Sequence, residues 1–227
     1  MTGSGKVGAK QQRGRSARPA APRKQKAGGR QEQSAARCEA ILSAALDEFS
    51  ARGFAATRLE DIAKRAGVGK GTIYLHFADK ETLFEDIVRT MVVPVVATVE
   101  SLPPVDLPIR VVLENLVDLF VREVYETRRR DVLRLVLAEV PRFPALADFY
   151  YKAVIERAMG ALHGIIGRAV AKGELPDDTL QRFPQLIIAP GMLAIVWNAL
   201  FERNAPLNIK ALMHAQLDLV LGKEKLP

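Results

Sequence analysis

The chain has 227 residues, of which 48% are hydrophobic and 26% charged, with 33 Lys and Arg against 26 Asp and Glu and a single cysteine. That length and apolar share suffice for a buried core; with no run of eighteen apolar residues and no secretory hydrophobic stretch, a soluble, cytoplasmic protein is expected. Cys38 alone excludes an internal disulfide framework and a multi-cysteine metal site, and it reads as a small buried or half-buried residue of the first helix.

Charge is divided unevenly along the chain. Residues 1 to 30 hold nine Lys and Arg and no acid, leaving 24 cations against 26 acids, a net −2, for the remainder. Residues 1–32, rich in Gly, Ala, Lys and Arg and containing Pro19 and Pro22, have little to bury and are expected to form a disordered basic arm. Such an arm follows phosphates or enters a minor groove, raising affinity by counterion release. The alternative is a solvated tail without contacts.

Between Ser34 and Arg52, Ile41, Leu42, Ala45, Leu46 and Phe49 recur at helical spacing, and Gly53 ends the helix. Phe54 is expected to pack beneath the next segment, Thr57 to Lys80, which reads as a helix-turn-helix. Thr57 and Glu60 have the spacing of a capping box, so a short helix begins near Leu59 and buries Leu59, Ile62, Ala63 and Ala66. Gly67 supplies the positive φ that stops it, Gly67-Val68-Gly69 is the turn, and a second helix runs from Lys70 to about Phe77. At about 100° per residue, Ile73 and Phe77 point inward. The opposite face centres on Leu75, with Gly71 and Thr72 beside it and Lys70, Tyr74 and His76 on the flanks. Glycine lets the backbone approach a major groove, hydroxyls reach base edges or phosphates, and an outward leucine suits a thymine methyl. Asp79 caps the following helix, which is interrupted by Pro94 before it ends near Val99.

These residues give a specific resemblance. Gly53-Phe54, Thr57, Asp61-Ile62-Ala63, Ala66-Gly67-Val68, Lys70-Gly71-Thr72, Tyr74, His76-Phe77 and Lys80 are similar to the DNA-binding domain of the TetR family of bacterial regulators, in register from about Arg37 to Val88. Arg58 and Gly69 depart from the family's commonest pattern, which has threonine and serine there. The resemblance, with the helix wheel, assigns DNA contact to Thr57, Arg58, Lys70, Gly71, Thr72, Tyr74, Leu75, His76 and Lys80. Arg58 and Leu75 come from this sequence rather than from the family. On this division Lys70 and Lys80 position the protein on phosphates, while Thr72 and Leu75 read bases.

Beyond Asp106 only helical patterns occur, over about 106–126, 129–140, 144–172, 177–203 and 206–221. Ile109, Val112, Leu113, Leu116, Phe120 and Val124 make one apolar stripe, and Val132, Leu133, Leu135, Val136 and Val140 continue the core. Gly160, Gly164 and Gly167 line one face, where either a close neighbouring helix or the wall of a small-molecule cavity uses the freed space. Leu193, Val196, Trp197, Leu200 and Phe201, then Leu212, Met213, Leu217 and Val220, suit a homodimer in which two helices from each protomer pack as four. Pro184 and Pro190-Gly191 are expected to bend or divide the first of these helices.

No Walker loop or dinucleotide fingerprint is present, and His76, His163 and His214 lack metal-ligand spacing, so neither enzyme activity, cofactor nor metal is expected. The expected fold is all-α: an N-terminal three-helix helix-turn-helix domain (33–90), after the arm, and a C-terminal helical effector-binding and dimerisation domain (91–227). The resemblance implies a ligand-responsive regulator, a repressor that binds an inverted-repeat operator as a homodimer and is released by a small apolar or amphipathic effector. Phe120, Tyr150, Met159, Met192 and Trp197 are the candidate walls of its pocket. The alternative is a sequence-independent nucleic-acid-binding protein driven by the basic arm.

Overall fold

A computed structural model describes residues 1–3, 24–103 and 106–222, and the side chains of 1–3, 32–103 and 106–222. The expectation for the arm falls largely on residues 4–23, outside the described part. The chain divides into two units, Met1–Ala36 and Arg37–Pro227, and every contact below lies within the second.

Among the described residues there are helices and no strands. α1 spans Lys24–Arg52 and begins ten residues before the expected Ser34. The added segment has only Gly28-Gly29 against Lys, Gln, Arg, Glu and Ala, good helix formers that carry the pattern backwards without an apolar face. Gly53 ends α1 at φ +79°, and α2 (Leu59–Arg65) and α3 (Lys70–His76) follow. α4 (Lys80–Met91) is capped by Asp79, whose carboxylate accepts from the Thr82 N–H at 2.7 Å. α4 stops at Val92 and α5 (Val93–Glu100) restarts with Pro94 in its first turn. The expected interruption is therefore a break between two helices.

α6 (Ile109–Phe120) passes into one turn of π-helix at Val121–Tyr125, and α7 (Arg129–Glu139) follows. α8 (Pro144–Tyr150), a second π turn at Tyr151–Ile155 and α9 (Glu156–Ala171) form a continuous rod. Pro184 divides the next expected helix into α10 (Thr179–Arg182) and α11 (Gln185–Phe201), whereas Pro190 lies inside α11. α12 (Ile209–Leu221) closes the fold. Among the described residues no helix is long and apolar enough to cross a membrane.

Two apolar clusters hold these helices. The first joins α1–α5 to α7 and α8 through Phe49, Phe54, Phe77, Phe84 and Tyr150, with Phe54 stacked on Phe49 (5.1 Å), Phe84 (5.9 Å) and Phe143 (4.8 Å). The second joins α6, α9, α11 and α12 through Leu113, Ile166, Ala194 and Met213. Phe54 thus packs as expected, and its aromatic contacts reach Phe143 beside α8. Buried Asn198 ties α11 to the segment before α12, exchanging hydrogen bonds with the Leu207 N–H (2.8 Å) and C=O (2.9 Å). Each satisfied pair stabilises by about 1 kcal/mol.

The glycine stripe departs from expectation. Gly160, Gly164 and Gly167 are exposed. A methyl group added at Gly160 or Gly167 would meet nothing within 4 Å, and one at Gly164 only the helix's own Arg168. α9 buries its other face, with Leu162, Ile165, Ile166 and Ala169, so the glycines accommodate no neighbouring helix and no cavity within the described chain.

Candidate nucleic-acid interface and inner cavity

α2 and α3 are held at their angle by local chemistry. Gly67 adopts φ +67°, letting the chain leave α2 while the Val68 N–H reaches back to the Ala63 carbonyl at 3.0 Å. Ile73 and Phe77, 0% and 1% exposed, anchor α3 in the same core as Leu59, Ile62 and Ala63. Ion pairs then lock α2 to α1: buried Glu48 lies 2.7 Å from Arg65 and 3.2 Å from Arg52, and Arg52 lies 3.5 Å from Asp61. Arg65 donates to Glu48 Oε1 and the Arg52 cation lies beside Oε2, and the two positive charges offset the desolvation of this buried carboxylate.

With Ile73 and Phe77 inward, the opposite face of α3 is free. Leu75 is 86% exposed and Tyr74 45%, and a side chain built on Gly71 would touch nothing within 4 Å. Thr72 is half-buried, while Lys70 and His76 are exposed. The Leu75 side chain is thus almost bare, held out from the core by the inward Ile73 and Phe77. Arg58, the N-cap of α2, is exposed nearby.

The flank of α3 is organised by a group that sequence reasoning placed elsewhere. Glu60 was expected to complete a capping box with Thr57, but α2 has no side-chain cap. Instead Glu60 accepts from Lys70 Nζ at 2.9 Å and from the Tyr74 hydroxyl at 3.0 Å. The hydrogen bond from Lys70, then local backbone and Tyr74 bonds, hold its carboxyl down at about 2. Glu60 therefore orients both residues and offsets the charge of the Lys70 ammonium.

Two expected DNA-contacting side chains are committed to the protein itself. Thr57 is 2% exposed, and its hydroxyl donates to the Gly53 carbonyl (2.8 Å), with the Glu48 carbonyl at 3.3 Å. The end of α1 leaves the Gly53 carbonyl without a helical donor, and Thr57 supplies one. Lys80 Nζ donates to the Phe54 and Ala55 carbonyls at 2.8 and 2.9 Å and lies 4.8 Å from the Phe54 ring centre. It closes the loop between α1 and α2, so its ammonium is already paired within the chain. Lys70, Gly71, Thr72, Tyr74, Leu75 and His76 remain together on α3, and Arg58 is exposed at the start of α2.

Farther along the chain, a cavity of about 180 Å³ lies among α5, α6, the first π turn, α7, α8, the second π turn, α9, α11 and α12. Of the five expected wall residues, Phe120, Tyr150 and Met192 line it, whereas Met159 and Trp197 do not. Met159 packs against the second apolar cluster. Trp197 is 37% exposed, donates to the Ala205 carbonyl at 2.6 Å and stacks edge-on against Phe201 at 5.0 Å. α11 is apolar around its whole circumference, so helical spacing alone did not separate its inner face from its outer one. The outer face carries Leu193, Val196, Trp197 and Leu200, all exposed.

Valines of α5 form one side of the cavity, and burial pushes the Tyr150 hydroxyl up to about 12, so it is a proton donor at any working pH. Gly191 leaves room for one lining side chain: a methyl group there would lie 2.8 Å from Phe120 Cε1. Arg129, which sequence reasoning missed, is the one charged residue in the lining. It sits in a run of three arginines, where nothing in the spacing marks which one turns inward. A larger recess of about 530 Å³ shares Leu116 and Leu119 with this cavity.

Comparison with known proteins agrees with this arrangement. Residues 41–87 match the family described as bacterial regulatory proteins, tetR family, and residues 109–206 match the tetracyclin repressor-like C-terminal domain. The chain is 36% identical over 166 residues to the HTH-type transcriptional regulator AcrR of Shigella flexneri, covering 71% of this chain and 77% of that one. It is 52% identical over 54 residues to the HTH-type transcriptional regulator RutR of Escherichia coli K12, covering 24% of this chain. That alignment spans about a quarter (26%) of RutR's length. The structure is similar to that of SmeT in complex with triclosan, SmeT being the repressor of a Stenotrophomonas maltophilia multidrug efflux pump. The TM-score is 0.68 at 22% identity, covering 85% of this chain and 99% of SmeT. With both parts of the chain matched in order, and a helix-turn-helix built as described, this protein belongs to the TetR family of bacterial transcriptional regulators.

Proposed function

We propose that the protein is a ligand-responsive repressor that binds an imperfect inverted-repeat operator as a homodimer and is released by a small apolar or amphipathic effector. DNA binding is assigned to residues 33–90, and effector binding and dimerisation to 91–227. The observation that carries the reading is the outward face of α3, with Leu75 86% exposed beside bare Gly71 and half-buried Thr72. Arg58, Lys70, Tyr74 and His76 flank that face and supply phosphate and base contacts.

The exposed apolar face of α11, continued on α12 by Leu219 at 80% exposure, supports a two-fold dimer built from the two helices of each protomer. Such a dimer presents two copies of α3 to successive major grooves about 34–36 Å apart. The cavity is the effector site, with Phe120, Tyr150 and Met192 as walls. At about 180 Å³ it is smaller than most ligand pockets, which begin near 300 Å³. A larger effector therefore separates helices to be held, and this gives it the different affinities for two states that coupling requires. The arm of residues 1–32 adds affinity through phosphates.

Selection from random duplex DNA tests the reading. A recovered inverted repeat with half-site centres about 10 bp or a multiple apart supports it. Recovery of no preferred sequence, with random duplex competing as well as any selected site, overturns it in favour of sequence-independent binding through the arm.

A further inference from the structure

The break between α4 and α5 leaves a carbonyl that an unbroken helix would satisfy. In such a helix the Val95 N–H would take the Met91 carbonyl, but it bonds Val92 at 3.0 Å, and the Val96 N–H also reaches Val92, at 3.4 Å. Pro94 has no N–H to contribute. Arg129 fills the gap: its Nε donates to the Met91 carbonyl at 2.6 Å. Its Nη1 donates to the Glu123 carbonyl at 2.8 Å and lies 3.3 Å from the Glu123 carboxylate. The guanidinium thus joins the C-terminal end of α4, where the helix dipole favours a cation, to the π turn that follows α6.

The same side chain lines the inner cavity, as does Val92 at the break itself. α4 is also the helix whose first residue, Lys80, is bonded to the Phe54 and Ala55 carbonyls. One residue therefore touches both the space an effector would fill and the end of the helix fastened to the DNA-binding segment.

We propose that Arg129 is the positioning residue through which the cavity controls the α4–α5 break: an occupant offering a hydrogen-bond acceptor draws the guanidinium from Met91 and frees the end of α4. The favoured occupant is an apolar molecule with one compact acceptor, such as a carbonyl, because the rest of the wall is apolar apart from the Tyr150 hydroxyl. The Glu123 carboxylate beside Arg129 disfavours an anionic head group. The inference rests on the proposed effector site for its consequence at DNA, but not for its test.

A dry apolar cavity of about 150 Å³ takes benzene, so acetophenone and ethylbenzene, alike in size and differing in the carbonyl, are suitable probes. Binding of each to the full-length protein is followed by thermal shift, and exchange of the Val92, Val93, Val95 and Val96 amides by deuterium labelling. Both probes should bind, but only acetophenone should speed that exchange, by roughly tenfold or more, the effect of losing one charge-assisted hydrogen bond. Arg129→Met should exchange fast without any probe and respond to neither, whereas Arg129→Lys, keeping one donor for Met91, should retain part of the acetophenone response. A merely structural Arg129 would give no difference between the two probes. Equal effects, no effect, or failure of acetophenone to bind overturns the inference. No DNA is present in this experiment, so its failure and a failed operator selection are separate results.

Discussion

Lys80→Met separates two accounts of one lysine. If Lys80 contacts phosphate, its loss weakens binding to every DNA sequence and leaves the fold unchanged. The observed geometry instead has Nζ on the Phe54 and Ala55 carbonyls at 2.8 and 2.9 Å and over the Phe54 ring at 4.8 Å. A hydrogen bond to a charged donor contributes about 1.5–3 kcal/mol when well buried, and a cation–π contact near the surface about 0.5–1 kcal/mol. Lys80 is only half-buried, and methionine retains most of the apolar stem, so the net loss is set at about 2–3 kcal/mol. For a chain of this size that lowers Tm by roughly 4–12 °C. Thermal melting monitored by circular dichroism measures it, with operator affinity followed from low to high salt at a temperature where both proteins are folded. A lower Tm with an unchanged salt slope fits the structure. An unchanged Tm with a slope smaller by about 0.9, the value for one phosphate contact, would refute the reasoning.

Three other substitutions probe neighbouring parts of the account. Gly53→Ala places a β-carbon at φ +79° and 2.9 Å from Glu139 Oε1, so it should destabilise by about 1–3 kcal/mol in urea unfolding. A stable variant would mean that the turn relaxes freely. Because the Glu60 carboxyl sits at about 2, below its ordinary 4.5, its bond to Lys70 is fully present above about pH 4.5 and is lost as pH falls through about 2. An NMR titration should find that low midpoint, and it should move towards 4.5 in Lys70→Ala; a midpoint near 4.5 in the unsubstituted protein would contradict the pairing. Leu200→Arg, on the exposed face of α11, should convert a dimer into monomers in sedimentation velocity without lowering helicity; persistence of the dimer would move the interface elsewhere.

Legibility from sequence followed the range of the interaction. Gly67, Asp79 and Pro94 act on their own backbone or that of the next few residues, and the elements they bound agree closely with expectation. The wheel for α3 was also sound, because its buried face is only Ile73 and Phe77. What escaped depends on partners distant in sequence. Lys80 meets a carbonyl 26 residues away and Arg129 one 38 residues away, and neither pairing has a local pattern. Thr57 has the four-residue spacing of a capping box, whereas the nearby end of α1 claims its hydroxyl. Trp197 failed for another reason: a helix apolar on all sides gives spacing without direction.

The central claim is that the outer face of α3 reads bases. Sequence preference should therefore be compared between the unaltered protein and its Thr72→Ala and Leu75→Ala variants, by selection from the same random duplex pool. Each loss should relax preference at one or two positions in each half-site, by about 1–3 kcal/mol per position, while affinity for unrelated DNA stays unchanged. Identical preferences in all three proteins, or a uniform loss of affinity for every sequence, would contradict it.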